Sequence, residues 1–235
     1  MVAWVLRVRP FFLVSFAAVA LIILPGAGLF AAVTAPVHTQ APLPTVLKQI
    51  EERYAHALTL TATFHETTQS AAFKTTKKSS GVISFKRPGK VRWETLEPDK
   101  NLLVGDGAHF WYYTPPFDAG DSGQYSERPA SKVQSKFAQV LLSASFSSSA
   151  ALRSMKVEAV GATQFKLTPQ KGTAGTVRQA LITVDVAHQW ISAVQLTHSD
   201  GNQTQILLSN IELGKALDDK LFSFTPPPHT DKIEE

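Results

Sequence analysis

The chain has 235 residues, with 23 Lys and Arg against 19 Asp and Glu, and it contains no cysteine. A chain of this size can bury a core without disulfide staples, and with no thiol it offers no residue for lipidation after export. Outside Lys74–Lys78 no block of basic residues forms a stripe, so charge argues only weakly for nucleic acid or an anionic membrane, and polyanion binding is set aside.

Arg7 and Arg9, with no acidic neighbour, precede the apolar run Phe11–Leu24, the pattern of an export signal. Pro25-Gly26-Ala27-Gly28 then breaks a helix, and small residues continue to Ala35. Residues 1–35 are therefore expected to be a signal peptide and 36–235 the mature domain. The cleavage position stays open, because Val33-Thr34-Ala35 fits the small-residue rule while Pro36 disfavours a cut there. The alternative is a retained anchor, since Phe11–Ala35 carries no charge and is long enough to span a bilayer. Without residues 1–35 the chain holds 21 basic and 19 acidic residues, a net charge of +2.

After a Pro-rich arm over 36–44, Val46, Leu47, Ile50, Tyr54, Ala57 and Leu58 recur at helical spacing and predict an amphipathic helix over 45–58. From Leu58 the period drops to two, with Leu60, Ala62 and Phe64 alternating with threonines, as in a half-buried strand. The alternation returns in 81–85 and 91–95 around the turn Arg87-Pro88-Gly89, and in 101–105 and 109–114 around Asp106-Gly107, giving two hairpins. Residues 115–131 read as a Pro-, Gly- and Ser-rich loop. An apolar helix is expected around Val133, Phe137, Val140 and Leu141. Five further strands follow at 156–160, 164–168, 179–186, 191–199 and 203–212, the last pair joined through Ser199-Asp200-Gly201-Asn202. A long antiparallel meander of this size twists toward a barrel, and the two helices are the available cover for its apolar face.

The segments Phe85-Lys86-Arg87-Pro88-Gly89-Lys90-Val91-Arg92-Trp93, Glu97-Pro98-Asp99, Leu103-Val104-Gly105-Asp106-Gly107 and Trp111-Tyr112-Tyr113 resemble, in order and spacing, the outer-membrane lipoprotein carrier family, LolA. Ala62-Thr63-Phe64 near the start and Leu221-Phe222-Ser223-Phe224-Thr225-Pro226-Pro227 near the end extend the resemblance over the mature domain. It implies a mainly β fold with α: an incomplete antiparallel β-barrel of about ten to eleven strands, with a helical lid over an apolar cavity. It also implies a monomeric periplasmic chaperone, not an enzyme and without cofactor, that binds acylated lipoproteins. Such a chaperone takes its cargo from an inner-membrane lipoprotein-release ABC transporter complex and delivers it to an outer-membrane lipoprotein receptor. The family's latch arginine falls on Arg87, with backbone carbonyls of the lid helix near Val140, Leu141 and Leu142 as its expected partners. A guanidinium suits that role because it keeps its charge and presents a fixed fork of donors. Phe64, Phe85, Trp93 and Trp111 are candidates to line the cavity. Aromatics at alternating positions equally make ordinary core, and sequence does not settle which face they take. The sequence departs from the family at Tyr113-Thr114-Pro115-Pro116 and in the glycine-rich loop that follows, which bears on the lid.

Other chemistries fit less well. Gly120-Asp121-Ser122-Gly123 copies the nucleophile loop of serine proteases, but no partner sequence for a histidine base accompanies it. The histidines never fall at metal-ligand spacing, so no metal site is expected. Remaining alternatives are a carrier of another lipid or a glycolipid, a membrane-anchored relay, and a sensor module that binds a protein partner with its cavity empty.

Overall fold

The structure is a computed structural model that describes residues 44–118, 120–130, 155–169 and 176–234. The predicted signal segment and the predicted lid helix around Val133–Leu142 lie outside the described residues. Helix α1 (Thr45–His56) is followed by twelve strands: β1 (Thr59–Gln69), β2 (Thr76–Lys86), β3 (Lys90–Glu97), β4 (Asn101–Gly105), β5 (His109–Thr114), β6 (Gly123–Pro129), β7 (Met155–Ala159), β8 (Gln164–Pro169), β9 (Val177–Asp185), β10 (Trp190–His198), β11 (Gln203–Leu213) and β12 (Thr230–Lys232).

The strands form one sheet in the order β12-β6-β5-β4-β3-β2-β1-β11-β10-β9-β8-β7. The expected single meander is therefore two meanders laid side by side, joined where β1 pairs antiparallel with β11. The long strands β1, β2 and β11 make the centre, and the sheet is left open between the β6/β12 edge and β7, not between the first and last strands of the chain. Register decides the two faces, because side chains alternate and paired residues share a side. Leu60, Ala62 and Phe64 stand opposite Phe85, Ile83 and Gly81, and these in turn opposite Val91, Trp93 and Thr95. On the far half Ile206, Val194, Ile182 and Phe165 continue the same side. This inner face is the core, with Phe64, Phe85, Val91, Ala180 and Ile182 all buried. Burying each large side chain stabilises the fold by roughly 1.5–3 kcal/mol.

The hairpin chemistry read from the sequence holds at its turns. Asp106 Oδ1 accepts the backbone N–H groups of Ala108 and His109, both at 2.7 Å, and Asp200 Oδ1 accepts that of Asn202 at 3.0 Å. Gly89 and Gly107 both take positive φ, and their turns meet so closely that a Cβ on Gly107 would stand 3.3 Å from the Pro88 carbonyl oxygen. Thus the β2–β3 and β4–β5 turns are packed together at one edge of the sheet, and Arg87 sits on the first of them.

One segment departs from expectation. Residues 123–129, read as loop, form β6, whose Gln-Tyr-Ser-Glu-Arg sequence shows no apolar alternation. Its order comes from partners on both sides. β5 pairs along its whole length, and β12 runs parallel to it on the other flank. Between β11 and β12 the chain crosses the outer face as a strap. Lys86 and Lys90 both grip Asp219, at 2.8 and 3.0 Å, in the short 3-10 helix Asp219–Phe222. Phe222 is buried, and Phe224 lies among the rings of Trp111, Tyr113 and Tyr125.

Candidate functional site

Helix α1 covers part of the inner face with Leu47, Ile50, Glu51 and Tyr54, all buried. Little within the helix itself holds it there. At 12 residues it is marginal alone, and Pro44 at its N-cap supplies no side-chain hydrogen bond. Glu51 lies on its buried side with Oε1 lacking a hydrogen-bond partner, an arrangement that costs free energy in the closed position. Two contacts act in the other direction. The Tyr54 hydroxyl accepts the Ile191 N–H at 3.0 Å, a donor released where β10 slips register between Ile191 and Ala193. Burial pushes the Tyr54 hydroxyl up to about 12, even though the Ile191 hydrogen bond and the Arg53 charge pull it down.

The second contact is Arg87. Its Nε donates to the Ala57 carbonyl at 2.9 Å, and its Nη2 donates to the Tyr54 carbonyl at 2.8 Å. Both acceptors are at the C-terminal end of α1, where carbonyls run out of helical partners and carry the negative end of the helix dipole. Partial burial lowers the guanidinium below its ordinary value, but a group so basic keeps its charge. The Arg87 backbone N–H also donates to the Leu58 carbonyl at 2.9 Å, fixing the turn against the helix-to-strand junction. Arg87 thus clasps the helix end from the β2–β3 turn. The partners expected near Val140, Leu141 and Leu142 lie outside the described residues, and the two carbonyls it does reach, on α1, were not foreseen.

Under Tyr54 the inner face closes over an apolar cavity lined by Leu60, Ile83, Phe85, Trp93, Val194 and Ile206, among others. Its free space is only about 30 Å³, enough for ordered water but not for an acyl chain. No acyl chain fits there unless α1 or its neighbours move. Beyond Trp93 the same face opens into a groove of about 680 Å³, whose walls include Glu66, Lys77, Thr95, Leu103 and Tyr112. Trp93 lines both spaces and packs on Phe64 with ring centroids 4.7 Å apart.

Three of the four predicted aromatics therefore come together. Phe64, Phe85 and Trp93 share the inner face, Phe64 as fully buried support beneath Trp93. Trp111 does not join them. It pairs with Val104 and Glu127 on the outer side and packs against Phe224 of the strap, with centroids 6.4 Å apart. Its neighbour Tyr112 takes the groove position instead, because alternation sends adjacent residues to opposite faces. The far wall, Val194 and Ile206, went unremarked in the sequence. Apolar residues recur along β10 and β11, but register slips interrupt their alternation, and aliphatics at those positions read as plain core. Of the protease-like tetrapeptide, Asp121 is engaged in its own turn, its carboxylate accepting the Asp118 N–H at 3.3 Å. Among the described residues no group of His, Asp and Glu could hold a metal ion.

A family model described as outer membrane lipoprotein carrier protein LolA matches residues 55–225. A protein of Dechloromonas aromatica named outer-membrane lipoprotein carrier protein is 31% identical over 189 residues, covering 80% of this chain and 86% of its own. Another of that name, from Pseudomonas paraeruginosa, is 29% identical over 180 residues, covering 76% of this chain and 83% of its own. The crystal structure of a LolA superfamily protein from Nitrosomonas europaea aligns over 77% of this chain and 96% of its own, at 10% identity and a TM-score of 0.43. With the family's span running from the end of α1 through the strap, the chain belongs to the outer membrane lipoprotein carrier protein LolA family.

Proposed function

We propose that this chain is a periplasmic chaperone that takes up the acyl chains of lipoproteins between α1 and the inner face of the sheet and carries them from the inner to the outer membrane. The observation that carries the reading is the small apolar cavity beneath α1. Its walls are apolar, its free space is only about 30 Å³, and Tyr54 of the helix secured through two hydrogen bonds from Arg87 forms part of its cover. Exposed acyl chains cost about 0.8 kcal/mol per CH₂ in water, so a lipoprotein crossing an aqueous space needs such a shelter. In this reading Arg87 is the latch, Trp93 stands between the cavity and the open groove, and no covalent step occurs. Residues 1–35 direct export. The donor is an inner-membrane lipoprotein-release ABC transporter, and the acceptor is an outer-membrane lipoprotein receptor. The names of the curated relatives support lipoprotein as the cargo class.

Native mass spectrometry of the protein co-expressed with a tagged acylated lipoprotein tests this. A one-to-one complex that requires the acyl groups, and that Arg87→Leu forms but passes on poorly, is the expected result. Absence of a complex with every acylated client, with free lipid or glycolipid bound instead, would replace lipoproteins as the cargo.

A further inference from the structure

The strand directions place the β1–β2, β3–β4, β5–β6 and β10–β11 connections at one edge of the sheet, and Arg87 with the end of α1 at the other. The groove beyond Trp93 opens at the first edge. There the β1–β2 hairpin stands clear of its neighbour: β2 pairs with β3 only from Ser80 onward, so Thr76–Ser79 rise past it, by about 13 Å at the usual strand rise. At its tip Phe73 is 74% exposed. The flanking Ala71, Ala72, Lys74, Lys77 and Lys78 are exposed as well.

The tip is a built turn. Ser70 N–H donates to the Thr75 carbonyl at 2.9 Å, Phe73 N–H donates to the Ser70 hydroxyl at 3.3 Å, and Ala71 N–H donates to Asn202 Oδ1 of the adjoining turn at 2.9 Å. Lys74 accepts a left-handed backbone, φ 51°, to complete it. The result holds a phenyl ring largely in water. Lys77 and Lys78 both border the groove, and Lys78 also borders the depression beside it, so the stem of the hairpin below the ring is cationic. Of the nearby acids, Glu66, Glu97 and Asp99 sit lower, along the groove and at the start of the β3–β4 turn, and Asp200 in the adjoining turn is engaged by the Asn202 N–H groups, so the three lysines still outnumber the acid at the tip itself.

We propose that this tip docks the protein on an anionic lipid bilayer, with Phe73 seated among the headgroups, Lys74, Lys77 and Lys78 on lipid phosphates, and the groove facing the membrane. A narrow convex point carrying one aromatic and three cations suits a fluid charged interface, whereas a protein partner would ask for a broad complementary patch. The proposal goes beyond the carrier reading and is tested without cargo, so either can fail alone.

The absence of cysteine allows a single environment-sensitive probe at Phe73→Cys, compared with Leu58→Cys at the opposite edge. The protein is used as recovered from the exporting cell and mixed with vesicles of phosphatidylcholine alone or with phosphatidylglycerol. Expected is a blue shift at position 73, dependent on phosphatidylglycerol and reversed by salt, with position 58 unchanged. In co-sedimentation, replacing the three lysines by glutamine lowers the partition coefficient on the order of a hundredfold, at roughly fivefold per lysine. Replacing Phe73 by serine lowers it on the order of tenfold. Circular dichroism confirms that these surface variants keep the fold, and the probe experiment stands without them. A probe at 73 that stays in water, equal shifts at both positions, or engagement of the lysines only by an acidic protein would overturn the proposal.

Discussion

Replacing Arg87 by leucine removes the two hydrogen bonds to Tyr54 and Ala57, leaving the Tyr54 carbonyl with only the Ala57 N–H at 3.2 Å and the Ala57 carbonyl without its guanidinium donor. A hydrogen bond from a charged donor contributes about 1.5–3 kcal/mol when shielded, and Arg87 is only half-buried, so about 1 kcal/mol each is the appropriate scale. The cation's interaction with the helix C-terminus adds a few tenths. The closed position of α1 should lose about 2 kcal/mol, which is a shift of roughly thirtyfold in the opening equilibrium. Hydrogen exchange reads this directly. The amides of Ile50, Glu51 and Tyr54 should exchange about thirtyfold faster by that arithmetic, while the β1, β2 and β11 amides keep their protection. Lysine at position 87 should restore about half, since a single ammonium cannot bridge both carbonyls in the guanidinium's fixed geometry. If α1 protection in Arg87→Leu matches wild type, or sheet and helix lose protection together, Arg87 is not a latch but a turn residue.

Glu51→Leu removes the buried Oε1 that has no partner and should stabilise the closed helix by about 1 kcal/mol or more, seen as slower α1 exchange and a higher Tm. Gly81→Ala would put a Cβ 1.9 Å from the Glu94 carbonyl oxygen and 2.9 Å from the Phe64 ring; guanidinium unfolding should show a loss of about 3 kcal/mol or more. Trp93→Ala should weaken capture of a fluorescent fatty acid, whereas Trp111→Ala should leave capture intact and loosen the strap, visible as faster proteolysis near Phe224. Tyr54 is held protonated by burial, so its contribution is fully present below about pH 10 and is lost as pH rises toward about 12; Tyr54→Phe should flatten the fall in stability across that window.

The helix and ten strands were legible because their sequences alternate or repeat with the period of the element they form, and because Asp106-Gly107 and Asp200-Gly201 announce their turns. β6 was not, since Gln124-Tyr125-Ser126-Glu127-Arg128 has no apolar face and owes its strand to β5, β12 and the strap. The sidedness of Trp111 was equally hidden. Residues 111 and 112 are both aromatic, so either parity gives a plausible inward residue, and only the pairing of Leu103 with Tyr112 assigns them. Arg87 was found through the family pattern, but its partners on α1 depend on where a helix end lands relative to a turn thirty residues away, which no local pattern encodes.

The magnitudes also say what a latch of this strength can do. Acyl burial gains about 0.8 kcal/mol per CH₂, so three methylenes already offset the roughly 2 kcal/mol that Arg87 contributes. Cargo with three acyl chains would open the helix whether or not Arg87 is present, and the latch cannot govern loading. What it can govern is the empty state. In the proposed cycle, reclosure of α1 onto the Arg87 donors and its own apolar face would stabilise the protein without cargo, and that difference would help an acceptor to draw the chains out. Loss of Arg87 should therefore leave capture intact and slow delivery, whereas Glu51→Leu, which stabilises the same closed state, should speed it.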